Sequence, residues 1–235
     1  MLKAVTNTLD GNFIGMAEQQ DVFGRIYTLV KFTTNGDTLW TARLGTTIAR
    51  DIITTTDGGY LLVGGEDHTL SNYDLIIIKT NATGQELWRK KTGLSSHWEI
   101  GTRVKETPEH DFIIAGTSRV AFDDAGAAYA AKVDKGGNIL WSKTFSAGYA
   151  HGQFYDVVIT PDGDYLMAGS AGTNYDRRDL LVMQLTRQGD KRWEKPTTCT
   201  CWRKDFPLPI YPATPSCWQA PPGSHWPATW RNSDS

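Results

Sequence analysis

Residues 57–88 read DGGYLLVGGEDHTLSNYDLIIIKTNATGQELW, and this stretch decides the fold. Asp57-Gly58 is a turn dipeptide, because glycine accepts the positive φ that tight hairpins require. Residues 51–56 (DIITTT) before it are β-branched, and residues 60–63 after it form a second short strand. Residues 74–80 (DLIIIKT) hold a continuous apolar run, expected where both faces of a strand are covered. Gly84 turns the chain into a fourth strand over residues 86–90, centred on Trp88. Four antiparallel strands are thus predicted in about fifty residues.

The same phrases recur. Lys31-x4-Gly36-x3-Trp40, Lys79-x4-Gly84-x3-Trp88, Lys132-x4-Gly137-x3-Trp141 and Gln184-x4-Gly189-x3-Trp193 place the tryptophans 48, 53 and 52 residues apart. A second marker keeps step: Asp10-Gly11-Asn12-Phe13, Asp57-Gly58-Gly59-Tyr60, Glu109-His110-Asp111-Phe112 and Asp162-Gly163-Asp164-Tyr165, with aromatic spacings of 47, 52 and 53. Each second strand continues into Gly64, Gly116 or Gly169, and the first repeat departs with Ala17. Two independent markers in register define four repeats, about 4–44, 45–96, 97–149 and 150–194. Repeated four-stranded sheets packed face to face form a β-propeller. A β-helix would repeat in about 20–30 residues, and a sandwich would not repeat. The expected fold is all-β, a β-propeller of four four-stranded antiparallel blades with almost no helix.

Composition bounds the rest of the 235-residue chain. Twenty-four Lys and Arg stand against 26 Asp and Glu, and the longest Lys/Arg block is the three residues 89–91, so the electrostatic footprint of a nucleic-acid binder is missing. The longest apolar run, residues 127–131, is far below the roughly 20 residues of a membrane-spanning helix. Residues 1–11 hold one lysine and no apolar core, so no secretory signal is read there. All three cysteines, eight of ten prolines and four of nine tryptophans follow Glu194. Prolines recur too densely there for a helix or a paired strand, so residues 195–235 are read as an unstructured tail. Its Cys199, Cys201, Cys217 and His225 lack the two closely spaced ligand pairs of a structural zinc site.

The phrase DGGYLLVGG, then YDLIIIKT, then G-x3-W, resembles the propeller repeats of prokaryotic secreted and lipoprotein-like proteins over residues 4–194. That resemblance implies an extracellular or cell-envelope setting. Thr83-Gly84-Gln85-Glu86-Leu87-Trp88 is also distantly similar to the tryptophan-docking repeats of quinoprotein propellers, although Thr80 stands where those repeats carry an acid. Sialidase Asp-boxes read G-x2-W, whereas every copy here is G-x3-W.

Residues that recur once per blade are read as scaffold, since catalysis needs one asymmetric site. Trp40, Trp88, Trp141 and Trp193 should pack between blades, with Gly36, Gly84, Gly137 and Gly189 as their turn partners in the motif. Lys31, Lys79 and Lys132 should cap carbonyls or pair with an acid of the next blade. Ligand binding is sought where the repeats differ, in the blade-joining segments. These carry His97, Trp98 and Glu99 between blades 2 and 3, and Tyr149, His151 and Tyr155 between blades 3 and 4. His97 and His151 follow their tryptophans by nine and ten residues and are read as near-equivalent. Blade 1 supplies no third ligand, so no metal is assigned. The sequence contains no G-x-S-x-G, H-E-x-x-H, P-loop or G-x-G-x-x-G.

The expected function is therefore a non-enzymatic scaffold or binding module without a cofactor, its partner a protein or a glycan. A fragment of a quinoprotein-like oxidoreductase or of a carbohydrate-processing propeller is the alternative. Four blades are the lower extreme for a closed ring. Blade 1 is also the most diverged, so an incomplete ring is expected, self-associating through open blade faces.

Overall fold

A computed structural model describes residues 2–21, 24–45, 48–69, 72–92, 98–119, 126–146, 150–174 and 177–197. They form four antiparallel sheets, each a meander of consecutive strands. Blade 1 holds β1 (Leu2–Asn7), β2 (Phe13–Asp21), β3 (Gly24–Phe32) and β4 (Thr38–Gly45). Blade 2 holds β5 (Ile48–Thr54), β6 (Tyr60–Thr69), β7 (Asn72–Thr80) and β8 (Glu86–Thr92). Blade 3 holds β9 (Trp98–Glu106), β10 (Phe112–Arg119), β11 (Ala127–Val133) and β12 (Ile139–Phe145). Blade 4 holds β13 (His151–Ile159), β14 (Tyr165–Asn174), β15 (Arg177–Leu185) and β16 (Lys191–Thr197). The last strand thus runs three residues past Glu194. The remaining tail residues, with Cys199, Cys201, Cys217 and His225, lie outside the described residues.

One turn design serves every hairpin at that end of the sheets. Thr8, Thr33, Thr55, Asn81, Thr107, Asp134, Thr160 and Thr186 each head a turn. The head's carbonyl accepts from the residue three positions on, and its N–H donates to the carbonyl four positions on, all at 2.8–3.1 Å. This is a three-residue loop, a type I turn closed by a left-handed residue. Glycine fills the left-handed position at φ 78–90° in seven of these turns, and His110 fills it at φ 64° in the eighth. The Asn81-Ala82-Thr83 sequence lies in such a turn, where Asn81 Oδ1 accepts from the N–H groups of Thr83 and Gln85.

Burial follows the repeat. Leu75, Ile76, Ile77 and Ile78 on β7 are each at most 1 % exposed, since alternate residues face blade 1 and blade 3. Three cores result. Ile14, Met16 and Leu29 pack on Ile52, Tyr60 and Leu62; Leu61, Val63 and Ile77 pack on Phe112, Ile114 and Val133; Ile113, Ala115 and Ala130 pack on Tyr165, Met167 and Met183. The first strands lie beside one another, β1 by β5, β5 by β9 and β9 by β13, so they form the inner side of the arc.

The four tryptophans occupy one register position on the fourth strands, opposite Lys31, Lys79, Lys132 and Gln184. Each inner one packs on the next blade's turn glycine. A Cβ on Gly84 would lie 2.6 Å from Trp40, one on Gly137 2.7 Å from Trp88, and one on Gly189 2.8 Å from Trp141. The ring is not closed.

The lysines correct one expectation. Their carboxylate partners belong to their own blade: Lys31 Nζ meets Asp10 at 2.6 Å, Lys79 meets Asp57 at 3.0 Å and Lys132 meets Asp111 at 3.0 Å. The third strand ends beside the first hairpin of the same sheet, which brings the two groups together. Beside Lys31 and Lys132 the next blade contributes a phenol, Tyr60 and Tyr165, whereas Lys79 donates to the Thr80 carbonyl at 3.1 Å. Burial by itself would push Lys31 down, but Asp10 and Tyr60 outweigh it and hold the pKa above the ordinary lysine value.

Candidate functional site

The inner strands share an irregularity that positions the site. Pairing passes from Leu2↔Ala17 to Ala4↔Met16, from Ala49↔Gly64 to Asp51↔Val63, from Gly101↔Gly116 to Arg103↔Ala115, and from Phe154↔Gly169 to Asp156↔Ala168. One residue per blade is therefore left out of the ladder: Lys3, Arg50, Thr102 and Tyr155. A β-bulge of this kind re-aims its side chain. It also explains the repeat glycine of the second strand. A Cβ on Gly64, Gly116 or Gly169 would fall on the carbonyl oxygen of Ile48, Ile100 or Gln153, which the bulge swings inward.

Three bulge residues, Arg50, Thr102 and Tyr155, line one cleft, and Lys3 lines an adjoining one. A cleft of about 490 Å³ is bounded by Arg50, Trp98, Thr102, Arg119, Gln153 and Tyr155, with Ile100 and Thr117. A second, of about 320 Å³, shares Arg50 and Ile100 with it and adds Lys3, Glu18 and Tyr27. Lys3 pairs with Glu18 at 2.6 Å. The single Thr102 hydroxyl proton is shared between the carbonyls of Phe154 and Ala115, at 2.7 and 3.0 Å, and the former ties blade 3 to blade 4. The Tyr155 hydroxyl lies 3.0 Å from Ser170 Oγ.

Below the bulges runs a charge relay between blades. Arg103 reaches Asp51 Oδ1 with Nη1 and Asp156 Oδ1 with Nε, both at 3.2 Å. Asp51 also accepts the Val104 N–H at 2.9 Å. Burial raises the Asp51 pKa, and the Val104 N–H and the Arg103 charge only partly offset it.

Of the residues singled out from sequence, Trp98 and Tyr155 line the cleft. Glu99 does not: it is buried and accepts from Ser118 Oγ at 3.2 Å. His151 opens β13 opposite Gly172, three residues past Gly169; Trp98 lies opposite Arg119, three past Gly116. His151 therefore shares its register position with Trp98, each lying ten residues past its blade's tryptophan. His97 and Tyr149 lie outside the described residues. Sequence reasoning missed Lys3, Arg50, Arg119 and Gln153. The offset between the second-strand glycine and the first strand was the available signal.

No protein-family model matches the sequence, and no curated protein matches it. Among solved structures the chain is similar to the Dos1 propeller, with 10% identity and a TM-score of 0.56 over 84% of this chain and 47% of that one. It is similar to a subtype N10 neuraminidase-like protein of A/little yellow-shouldered bat/Guatemala/060/2010, with 11% identity and a TM-score of 0.51 over 80% and 55%. It is also similar to an endo-arabinase from Bacteroides thetaiotaomicron, with 10% identity and a TM-score of 0.51 over 80% and 76%. The chain spans about half the length of the first two. Together with the four sheets and their packing, these likenesses establish the fold: four blades of a β-propeller in an arc that does not close.

Proposed function

We propose that this chain is a non-enzymatic binding module of the secreted or cell-surface type, holding a hydroxyl-rich ligand with an acidic substituent, such as an acidic glycan, at the inner mouth. The row of bulge residues carries this reading. It sets a different side chain of blades 2, 3 and 4 around one cleft, on strands whose pairing follows one plan. Tyr155 is exposed in the cleft, where its ring can pack on the carbon skeleton of a sugar, and the largely buried Trp98 adds to the apolar wall. Arg50 and Arg119 supply forked donors that match a carboxylate or sulfate, and Gln153 supplies a neutral amide, while the Thr102 and Thr117 hydroxyls are engaged by backbone carbonyls. Glycosidic hydrolysis ordinarily takes two carboxyl groups facing the bond. The inner-strand acids beneath the cleft, Asp51 and Asp156, are both engaged by Arg103.

The test is a glycan array of neutral, uronic-acid and sulfated oligosaccharides, probed with the full chain and with Arg50→Ala and Tyr155→Ala. Both positions are exposed, so the variants should keep the fold. Binding to acidic glycans that each substitution weakens at least tenfold is the expected result. An empty array, or binding that neither variant alters, would reject the reading.

A further inference from the structure

The two ends of the arc are cut-open copies of its interior. Leu75, on the face that blade 2 turns to blade 3, is 0 % exposed; its counterpart four residues before Gln184, Leu180, is 50 % exposed. Ile52, on the face that blade 2 turns to blade 1, is 2 % exposed; its counterpart three residues before the turn threonine, Val5, is 52 % exposed. The motif pair is split in the same way. Trp193 has no turn glycine beneath it and is 39 % exposed, and a Cβ on Gly36 would meet nothing within 4 Å. Blade 4 thus presents Leu166, Leu180, Val182 and Trp193, and blade 1 presents Val5, Phe13, Val30 and Phe32 around Gly36.

We infer that the blade 4 face receives blade 1 of a second copy of this chain, with Trp193 of one copy seated on the Gly36 turn of the other. The occupant follows from continuity with the interface already built three times within the chain, in which a fourth-strand tryptophan covers the next blade's turn glycine. Charge agrees with shape. Between blades 3 and 4, Lys143 Nζ meets Asp190 at 2.6 Å. The residues at those positions across the new junction are Lys195 and Asp37, both exposed and opposite in charge. Two copies satisfy both open ends at once, and the eight blades that result lie within the usual range for closed propellers. A contact of this head-to-tail kind closes into a ring or else grows without limit, so the closed pair is the proposed form.

The experiment is sedimentation of the full chain across a hundredfold concentration range, alone and in mixtures. Wild type should show a monomer and a species of twice its mass. Trp193→Arg disables only the blade 4 face and Val5→Glu only the blade 1 face, so each alone should weaken association at least tenfold. An equimolar mixture should associate more than either variant alone, through the one junction whose two faces are both intact, and less than wild type, which forms two. Circular dichroism checks folding, and Leu180→Glu replaces Trp193→Arg should that variant unfold. Wild type that stays monomeric overturns the inference, the result expected if further sheets of a longer polypeptide cover these faces. It is equally overturned by single variants that still associate, a mixture that does not, or a ladder of masses beyond two.

Discussion

Arg192 forms with Asp164 the ion pair that a third-strand lysine makes in the other three blades. Gln184 replaces that lysine and reaches the same carboxylate only through its amide, at 3.3 Å. Arg192 itself stands where Leu39, Leu87 and Leu140 precede their tryptophans. One exchange compensates the other, so a cation still meets the buried acid. Arg192→Leu should cost about 1–3 kcal/mol, because Asp164 then keeps only neutral partners. Adding Gln184→Lys should recover most of that loss in urea unfolding. A double variant no more stable than Arg192→Leu would show that the two positions are not coupled.

The packing of tryptophan on glycine can be separated from backbone conformation. Gly84 and Gly36 both adopt positive φ, at 82° and 90°, but only Gly84 lies under an indole. Alanine at Gly36 should cost about 1 kcal/mol from left-handed strain alone. At Gly84 it should cost a further 1–3 kcal/mol, since Trp40 must move. Equal melting temperatures for the two variants, measured at a concentration where the protein is monomeric, would contradict the packing argument.

His110 is a non-glycine residue in the left-handed position of its turn. Its Nδ1 lies 3.1 Å from Glu106 and 3.0 Å from Thr56, at an exposed edge where such contacts contribute little. His110→Gly should therefore raise stability by about 0.5–1 kcal/mol. Thermal unfolding of the variant checks the sign, and a lower melting temperature would mean that the bridge to Glu106 and Thr56 outweighs the strain.

Burial pushes the Tyr129 phenol up to about 12, with the Glu99 charge adding to the effect. An unfolded chain ionises this group near 10. Between those values the native state holds a proton that the unfolded state has lost, so stability falls as pH rises from about 10 through 12. The loss should reach about 2–3 kcal/mol and be absent from Tyr129→Phe. Unfolding curves at pH 9, 10.5 and 11.5 would measure it, and identical pH profiles for the two proteins would refute the assignment.

The repeat was legible because its markers are chemically strict. Few residues tolerate positive φ beside a closely packed indole, so Gly84 and Trp88 announce themselves in sequence, as do their counterparts in the other blades. The lysine partners were harder to read. Asp10 and Asp57 precede the turn glycine, whereas Asp111 and Asp164 follow the left-handed residue, and a flexible side chain reaches either place. The cleft was half legible. Aromatic Trp98 and Tyr155 drew notice in segments that differ between blades. Arg50, in a strand of alternating polarity, looks like any solvent-facing charge until pairing shows it to be the extra residue. The Arg103 relay joins residues about 52 positions apart on different blades, a distance that local pattern does not span.

The bulges also separate two selective pressures. Ladder hydrogen bonds on the inner strands are made by the residues flanking Lys3, Arg50 and Tyr155, and those three side chains are exposed. On the proposed binding role, exchanging one of them should alter what the mouth recognises while the sheet beneath keeps its register. The side chains at the mouth can therefore diverge quickly on a backbone that changes slowly, and a library randomised at these three positions would vary the chemistry of the mouth without sampling new folds.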